Sequence, residues 1–296
     1  MTTNKFQGTG VAMITPFRKD GSIDFQSLEK LVNNLITNNV DYLVAMGTTA
    51  EAATLSKDER MAVINHIAEI NNKRLPLVVG VGGNNTRDVV DRIKTYEGTS
   101  NIDAILSVAP FYNKPSQKGI FQHYQTIASA SPVPMIIYNV PGRTSVNIQA
   151  QTTLKIANEI DNVIGIKEAS GNMEQVMEIL RDKPQNFLVI SGDDALTFPM
   201  MALGASGVIS VVANAFPSQF AQMVHLTLQG KFQQARINHY KLLEIIQNLF
   251  VEGNPAGIKA ALNIIDMSPN NLRLPLTPVS RSHFNKLSKL IGDYSS

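Results

Sequence analysis

Apolar and polar positions alternate along the chain in two rhythms. Eight short β-branched runs, GVAMIT, YLVAMG, LVVGVG, AILSVAP, MIIYNV, VIGIKEA, FLVISG and GVISVVA, are nearly continuous in hydrophobicity, the pattern of strands buried on both faces. Stretches of helical period lie between them. In Asp24 to Ile36 the residues Leu28, Leu31, Val32, Leu35 and Ile36 make one apolar stripe, as a helix needs to cover a sheet. The repeated strand-then-helix order predicts an α/β fold with a parallel sheet, and eight such units predict closure into a (β/α)8 TIM barrel.

Local signals agree with that pattern. Ser56-x-x-Glu59 has the form of a capping box opening the helix that carries Val63, Ile64 and Ile67, and Pro76 restarts the chain as a strand. Beyond the eighth run, Pro217 to Gly230 reads as the last barrel helix. Lys231 to Val251, Pro255 to Ile265 and Val279 to Ile291 read as further helices that a barrel does not need. We therefore expect residues 1–230 to form the barrel that carries the active site. Residues 231–296 are expected to be a C-terminal helical extension, packed on the barrel or on a neighbouring subunit.

Composition narrows the class of function. Of 296 residues, 44% are hydrophobic and 17% charged, with a net charge of +2, so neither disorder nor a basic nucleic-acid footprint is indicated. A small-molecule partner is expected, with no nucleic acid and no membrane. The start, MTTNKFQGTGVAMITPF, has no basic segment followed by a long apolar run, and a cytoplasmic location is the expectation. The absence of cysteine excludes thiolate nucleophiles, disulfides and cysteine metal sites. His66, His123, His225, His239 and His283 are scattered with no metal-site spacing, and are expected to be surface or packing residues with no metal bound.

Candidate chemistry lies where apolar strands end in polar residues, because barrel enzymes gather their active sites at the C-terminal ends of the strands. In Val163-Ile164-Gly165-Ile166-Lys167 a period of two puts Val163, Gly165 and Lys167 on one face and Ile164 and Ile166 on the other. The bulky pair should face the helices and leave Lys167 pointing inward. An ammonium held in an apolar barrel mouth loses hydration, which favours the neutral amine and suits attack on a carbonyl. A lysine ion-paired to a carboxylate on a neighbouring strand has the same spacing. Lys259, in AGIKAALNII, sits on a helix outside the barrel, where snorkelling or packing is expected.

Gly47-Thr48-Thr49-Ala50-Glu51 follows the second run; its amides and two hydroxyls can hold a carboxylate such as that of an α-keto acid, although an ordinary strand-to-helix turn looks the same. Tyr138 ends MIIYN and Arg143 follows it, a phenol able to exchange protons and a guanidinium able to grip a carboxylate. Tyrosine at a strand end also serves packing. Phe111-Tyr112-Asn113-Lys114-Pro115 is too polar and proline-broken for a helix, and is expected to line the barrel mouth or reach a neighbouring subunit.

Taken in order, GTTAE, FYNKP, YNVPGRT, VIGIKEAS, SGDD and GVISVVAN resemble the dihydrodipicolinate synthase family (4-hydroxy-tetrahydrodipicolinate synthases) of the N-acetylneuraminate lyase superfamily, over about residues 8 to 215. The resemblance implies a Schiff-base lyase that condenses pyruvate with L-aspartate 4-semialdehyde in the diaminopimelate route to lysine, with no cofactor. Lys167 is then the lysine that condenses with pyruvate, and Thr49, with the amides around Thr48, the pyruvate carboxylate site. Tyr138, Thr48 and Tyr112 are the proton relay, Tyr112 being donated across a dimer interface. Arg143 receives the carboxylate of the semialdehyde, and Gly192 and Ile209 line the site through their backbones. A homotetramer made of two dimers is implied as well.

Two other readings belong to neighbouring classes. Sialate and 2-keto-3-deoxy sugar-acid aldolases of the superfamily usually lack the arginine of PGRT and commonly carry Gly-Ser-Thr where this chain has Gly-Thr-Thr. A non-catalytic pyruvate-binding barrel would bind without forming an imine. A phosphate-binding barrel is disfavoured because Gly204-Ala205-Ser206-Gly207 precedes the eighth run instead of following it. Lys57, Arg60 and Phe111 depart from the pattern of lysine-inhibited members, so weak or absent inhibition by L-lysine is expected even with Asn84 and Asp88 in a neighbouring pocket.

Overall fold

The computed structural model describes residues 3–96 and 101–295. Strands β1 (Gly8–Ala12), β2 (Tyr42–Ala45), β3 (Leu77–Gly80), β4 (Ala104–Val108), β5 (Met135–Asn139), β6 (Val163–Glu168), β7 (Leu188–Ser191) and β8 (Gly207–Ser210) pair in sequence order and close into a parallel barrel, β8 returning to β1. The eight apolar runs therefore become the eight strands of the expected (β/α)8 TIM barrel.

The outer layer follows the same order. It comprises α1 (Phe25–Thr37), α2 (Lys57–Asn71), α3 (Thr86–Lys94), α4 (Gln117–Ser129), the short α5 (Pro141–Thr144), α6 (Ala150–Glu159), α7 (Met173–Asp182), α8 (Thr197–Ala202) and α9 (Pro217–Leu228). After these, α10 (Phe232–Phe250), α11 (Ala256–Ile264) and α12 (Arg281–Ser295) follow the barrel, α10 packing along α9. The predicted capping box is formed: the Ser56 hydroxyl accepts from the Glu59 amide and the Glu59 carboxylate from the Ser56 amide, which satisfies two backbone donors at the start of α2. Among the described residues no helix is long and apolar enough to cross a membrane.

Two buried clusters divide the core. One lies between the sheet and the helices, where Leu28, Leu31, Val32 and Leu35 of α1 take part. The other fills the barrel, with Tyr42, Val44, Val78, Leu106, Ile136, Ile164, Ile190 and Ile209. Strand β6 departs from the simple alternation expected for it. Met135 pairs with Val163, but Ile136 pairs with Gly165, so the register slips by one residue at Ile164. Val163 consequently joins the outer cluster and Ile164 the inner one, the reverse of the expected placing, while Ile166 packs outward and Lys167 inward as expected. Glycine is required at the slip, because a Cβ on Gly165 would lie 2.7 Å from the Leu188 Cβ.

Of the two expectations for Lys259 on its helix outside the barrel, packing holds and snorkelling does not. Lys259 is wholly buried, and its ammonium meets the Glu51 carboxylate instead of snorkelling to water. Three of the histidines take protein partners: His225 pairs with Asp41 at 2.8 Å, His123 with the Thr86 hydroxyl at 2.9 Å and His283 with the Asn248 carbonyl at 2.8 Å. Among the described residues no cluster of three or more His, Asp or Glu side chains could hold a metal ion.

Candidate active site

A cavity of about 1320 Å³ opens at the C-terminal ends of the strands, where the fold class places its chemistry. Lys167, Tyr138, Thr48, Thr49, Arg143 and Gly192 line it together. Strand register explains the central pair: Tyr138 and Lys167 sit side by side on β5 and β6, and the Lys167 Nζ lies 4.3 Å from the centroid of the Tyr138 ring. Both are buried, at 5% and 7% exposure.

Burial governs both groups. It draws the Lys167 ammonium down to about 8, with the Arg143 charge acting in the same direction and Asp194 partly opposing. It pushes the Tyr138 phenol up to about 12, while Arg143 and a hydrogen bond with Thr48 pull back. Among the described residues Lys167 takes part in no ion pair, which removes the structural alternative left open by its spacing. The neighbouring Glu168 is engaged elsewhere, accepting from Asn139 Nδ2 at 3.0 Å, Gln175 Nε2 at 3.1 Å and the Ser170 amide at 2.7 Å. An amine that is far more readily neutral than an ordinary lysine, beside a protonated phenol, can add to a carbonyl and exchange protons with the adduct.

Thr48 and Thr49 begin a single 3-10 turn, Thr48–Ala50, directly after β2 and Gly47. Its internal bonds run from the Ala50 amide to the Gly47 carbonyl at 3.2 Å and from the Glu51 amide to the Thr48 carbonyl at 3.1 Å. Those bonds do not use the amides of Thr48 and Thr49, which suits them to a carboxylate. Arg143 stands at the rim on α5, whose first residue is Pro141. Gly192 is fixed by its amide bonding the Glu168 carbonyl at 2.8 Å. A Cβ there would lie 2.9 Å from the Lys167 Cε, so glycine leaves room for the lysine stem.

Two residues named from the sequence do not line this cavity. Tyr112 is 87% exposed on the loop after β4 and adopts a left-handed φ of 73°, an uncommon conformation for a bulky residue. Within one chain it is not brought to Lys167. Ile209 packs in the barrel interior instead.

Other residues join the site without having been singled out. Asn254, beyond the barrel helices, donates from Nδ2 to the Thr49 hydroxyl at 3.0 Å and accepts at its carbonyl from Arg143 at 3.3 Å. Asp194 is buried, and its Oδ2 accepts from the Val211 and Val212 amides at 3.0 and 2.8 Å. Burial raises its carboxyl to about 6. The SGDD motif contained Asp194, but spacing could not show that its carboxylate turns toward β8.

The family model of the dihydrodipicolinate synthetase family matches residues 5–293. The chain belongs to this family. Among its relatives, the 4-hydroxy-tetrahydrodipicolinate synthase of Parabacteroides distasonis is 51% identical over 295 residues, covering 100% of this chain and 99% of the relative. The dihydrodipicolinate synthase structure from Aquifex aeolicus superposes with a TM-score of 0.95 at 39% identity, covering 98% of both chains. That of Acinetobacter baumannii complexed with pyruvate gives 0.95 at 39% identity, over 98% of this chain and 99% of the other. The family match spans the barrel and the helices after it, so the segment that supplies Asn254 lies inside the shared architecture.

Proposed function

We propose that this family member is a 4-hydroxy-tetrahydrodipicolinate synthase, a lyase that joins pyruvate to L-aspartate 4-semialdehyde on the diaminopimelate route to lysine. The observation that carries the reading is the buried Lys167 amine, brought down to about 8 beside Tyr138 at the barrel mouth. The Lys167 nitrogen adds to the keto carbon of pyruvate, and loss of water leaves a protonated imine. Removal of a proton from the adjacent methyl carbon gives an enamine, which attacks the aldehyde carbon of the second substrate. Attack of that substrate's amine on the imine carbon closes the ring and frees Lys167.

The remaining residues take roles that fit their positions. Thr49 and the amides at Thr48 hold the pyruvate carboxylate, Tyr138 and Thr48 pass protons to and from the adduct, and Arg143 receives the semialdehyde carboxylate at the rim. Gly192 contributes backbone. The exposed Tyr112 completes the relay in a partner subunit, which makes a dimer the smallest active unit and a homotetramer of two dimers the assembly. Full activity in an isolated monomer would contradict that role. The barrel is assigned to residues 1–230, the extension to residues 231–296, and the enzyme to the cytoplasm.

A coupled assay tests the substrate assignment by offering aspartate semialdehyde, N-acetylneuraminate and 2-keto-3-deoxygluconate in parallel. The expected result is turnover of pyruvate only with the semialdehyde. Preferential cleavage of either sugar acid would replace the reading by that of an aldolase, and pyruvate binding without a reducible imine would replace it by that of a non-catalytic barrel.

A further inference from the structure

The turn that carries Thr48 and Thr49 ends in Glu51, an acidic residue with a left-handed φ of 52°. Its carboxylate is used on both oxygens. Oε1 accepts from the Lys259 ammonium at 2.5 Å, and Oε2 accepts from the Arg273 amide at 3.0 Å. The Glu51 and Lys259 side chains are both 0% exposed. Lys259 in turn donates to the Asn271 carbonyl at 2.9 Å and lies 4.2 Å from the centroid of the Phe17 ring.

A buried ion pair is an expensive way to hold two elements together, since apolar residues of similar volume usually serve stability as well or better. What the pair does provide is direction: it fixes a short polar turn against one point on α11. The rest of the turn is held in the same manner. The Thr15 hydroxyl donates to the Ala50 carbonyl at 2.7 Å, and Asn254 donates to the Thr49 hydroxyl at 3.0 Å. Three of the turn's four residues from Thr48 to Glu51 are thus anchored by side chains from outside it, two of them from the segment after α10.

We propose that Lys259 and Glu51 are positioning residues for the pyruvate reaction: their ion pair holds the Thr48–Thr49 turn in the geometry that receives the pyruvate carboxylate. This rests on the reading of that turn as the carboxylate site. Both Glu51 oxygens are taken by protein donors and the Lys259 ammonium is wholly buried, so neither residue is assigned a contact with the substrate. Their effect passes through the backbone from Glu51 to Thr49, and it makes the helices beyond the barrel part of the substrate site as well as a cover for the barrel.

The test uses the full chain and the pyruvate concentration that gives half-maximal borohydride-trapped adduct on Lys167. In the double variant Glu51→Gln/Lys259→Met both charges leave together, and the glutamine oxygen can still accept from the Arg273 amide. In protein that keeps the parent's circular dichroism, half-saturation is expected to move to about tenfold higher pyruvate or beyond. KM for the semialdehyde should stay within about twofold, a split that general loosening of the fold would not produce. If the double variant does not fold, Glu51→Gln alone, which preserves the side-chain outline, is read in the same way, with a rise of at least about threefold expected.

A folded variant whose half-saturation matches the parent overturns the inference. So does one in which both substrates weaken equally. If the parent itself forms no trapped adduct, the functional reading fails and not merely this extension of it.

Discussion

The Lys167 nitrogen stands 4.3 Å from the centre of the Tyr138 ring because the two residues are register partners on adjacent strands. The barrel therefore fixes the distance between amine and phenol through its backbone and not through a loop. That rigidity favours a site in which one group adds to a carbonyl and the other handles the protons.

The first prediction concerns pH. Burial brings the Lys167 amine to about 8, so roughly a tenth of it is neutral at pH 7, against less than about one part in a thousand for an ordinary lysine. The neutral fraction rises with pH. The rate of imine formation with pyruvate should climb nearly tenfold per unit below about pH 8 and then level off. Stopped-flow or quenched borohydride trapping across pH measures it, and an inflection near the ordinary lysine value would contradict the burial argument.

Tyr138→Phe should keep the ring that packs beside Lys167 and lose the hydroxyl that meets Thr48. We expect kcat to fall by about a hundredfold or more, the usual worth of a placed proton donor. The Lys167 adduct should still accumulate at saturating pyruvate. Steady-state kinetics with trapping on the same sample checks both, and near-normal kcat would remove the phenol from the relay.

A stability prediction follows from Glu59, which caps α2 and meets Arg273 through contacts of 2.6 and 2.9 Å. Hydrogen bonds from Arg273 first, and then from the Ser56 amide, hold its carboxyl down at about 2. A carboxylate with a depressed folded value stabilises the native state above its unfolded value, and that contribution disappears as pH falls through the folded one. Glu59→Gln should therefore cost about 1 kcal/mol at pH 7 for a partly exposed cap and ion pair. The gap from the parent should shrink between pH 4.5 and about 2. Urea melts at pH 7 and pH 3 measure it.

L-lysine is expected to inhibit weakly or not at all. Arg60, Arg92, Asn84, Asp88 and Phe111 line the outer part of the cavity, and Arg60 acts on the half-buried Arg92 as a like charge. An ammonium entering there adds a third cationic charge to that pair. Initial rates over a range of L-lysine provide the check, and inhibition at submillimolar concentration would show that the acidic and amide groups outweigh the guanidinium pair.

Much of the fold was legible because a parallel barrel buries both faces of every strand, and eight unbroken apolar runs leave little else to assign. The Val163 and Ile164 exchange was not legible. It depends on the one-residue slip against β5 and on the crowding of Gly165 by Leu188, and neither is local to the run. The same division holds at the site. Lys167, Tyr138, Thr48, Thr49 and Arg143 could be read because each ends or directly follows a strand. The helix that carries Lys259 was legible but its ion pair was not, because the counter-ion Glu51 is 208 residues away, and Asn254 carried no local signal because its partner Thr49 is 205 residues away.

Reduction with borohydride in the presence of pyruvate, followed by peptide mass analysis, tests the central claim most directly. The predicted result is a pyruvate-derived mass on the peptide containing Lys167, absent without pyruvate and absent in Lys167→Ala, which should also lose turnover. An unmodified Lys167 in active enzyme, or a Lys167→Ala variant that still turns over, would contradict it.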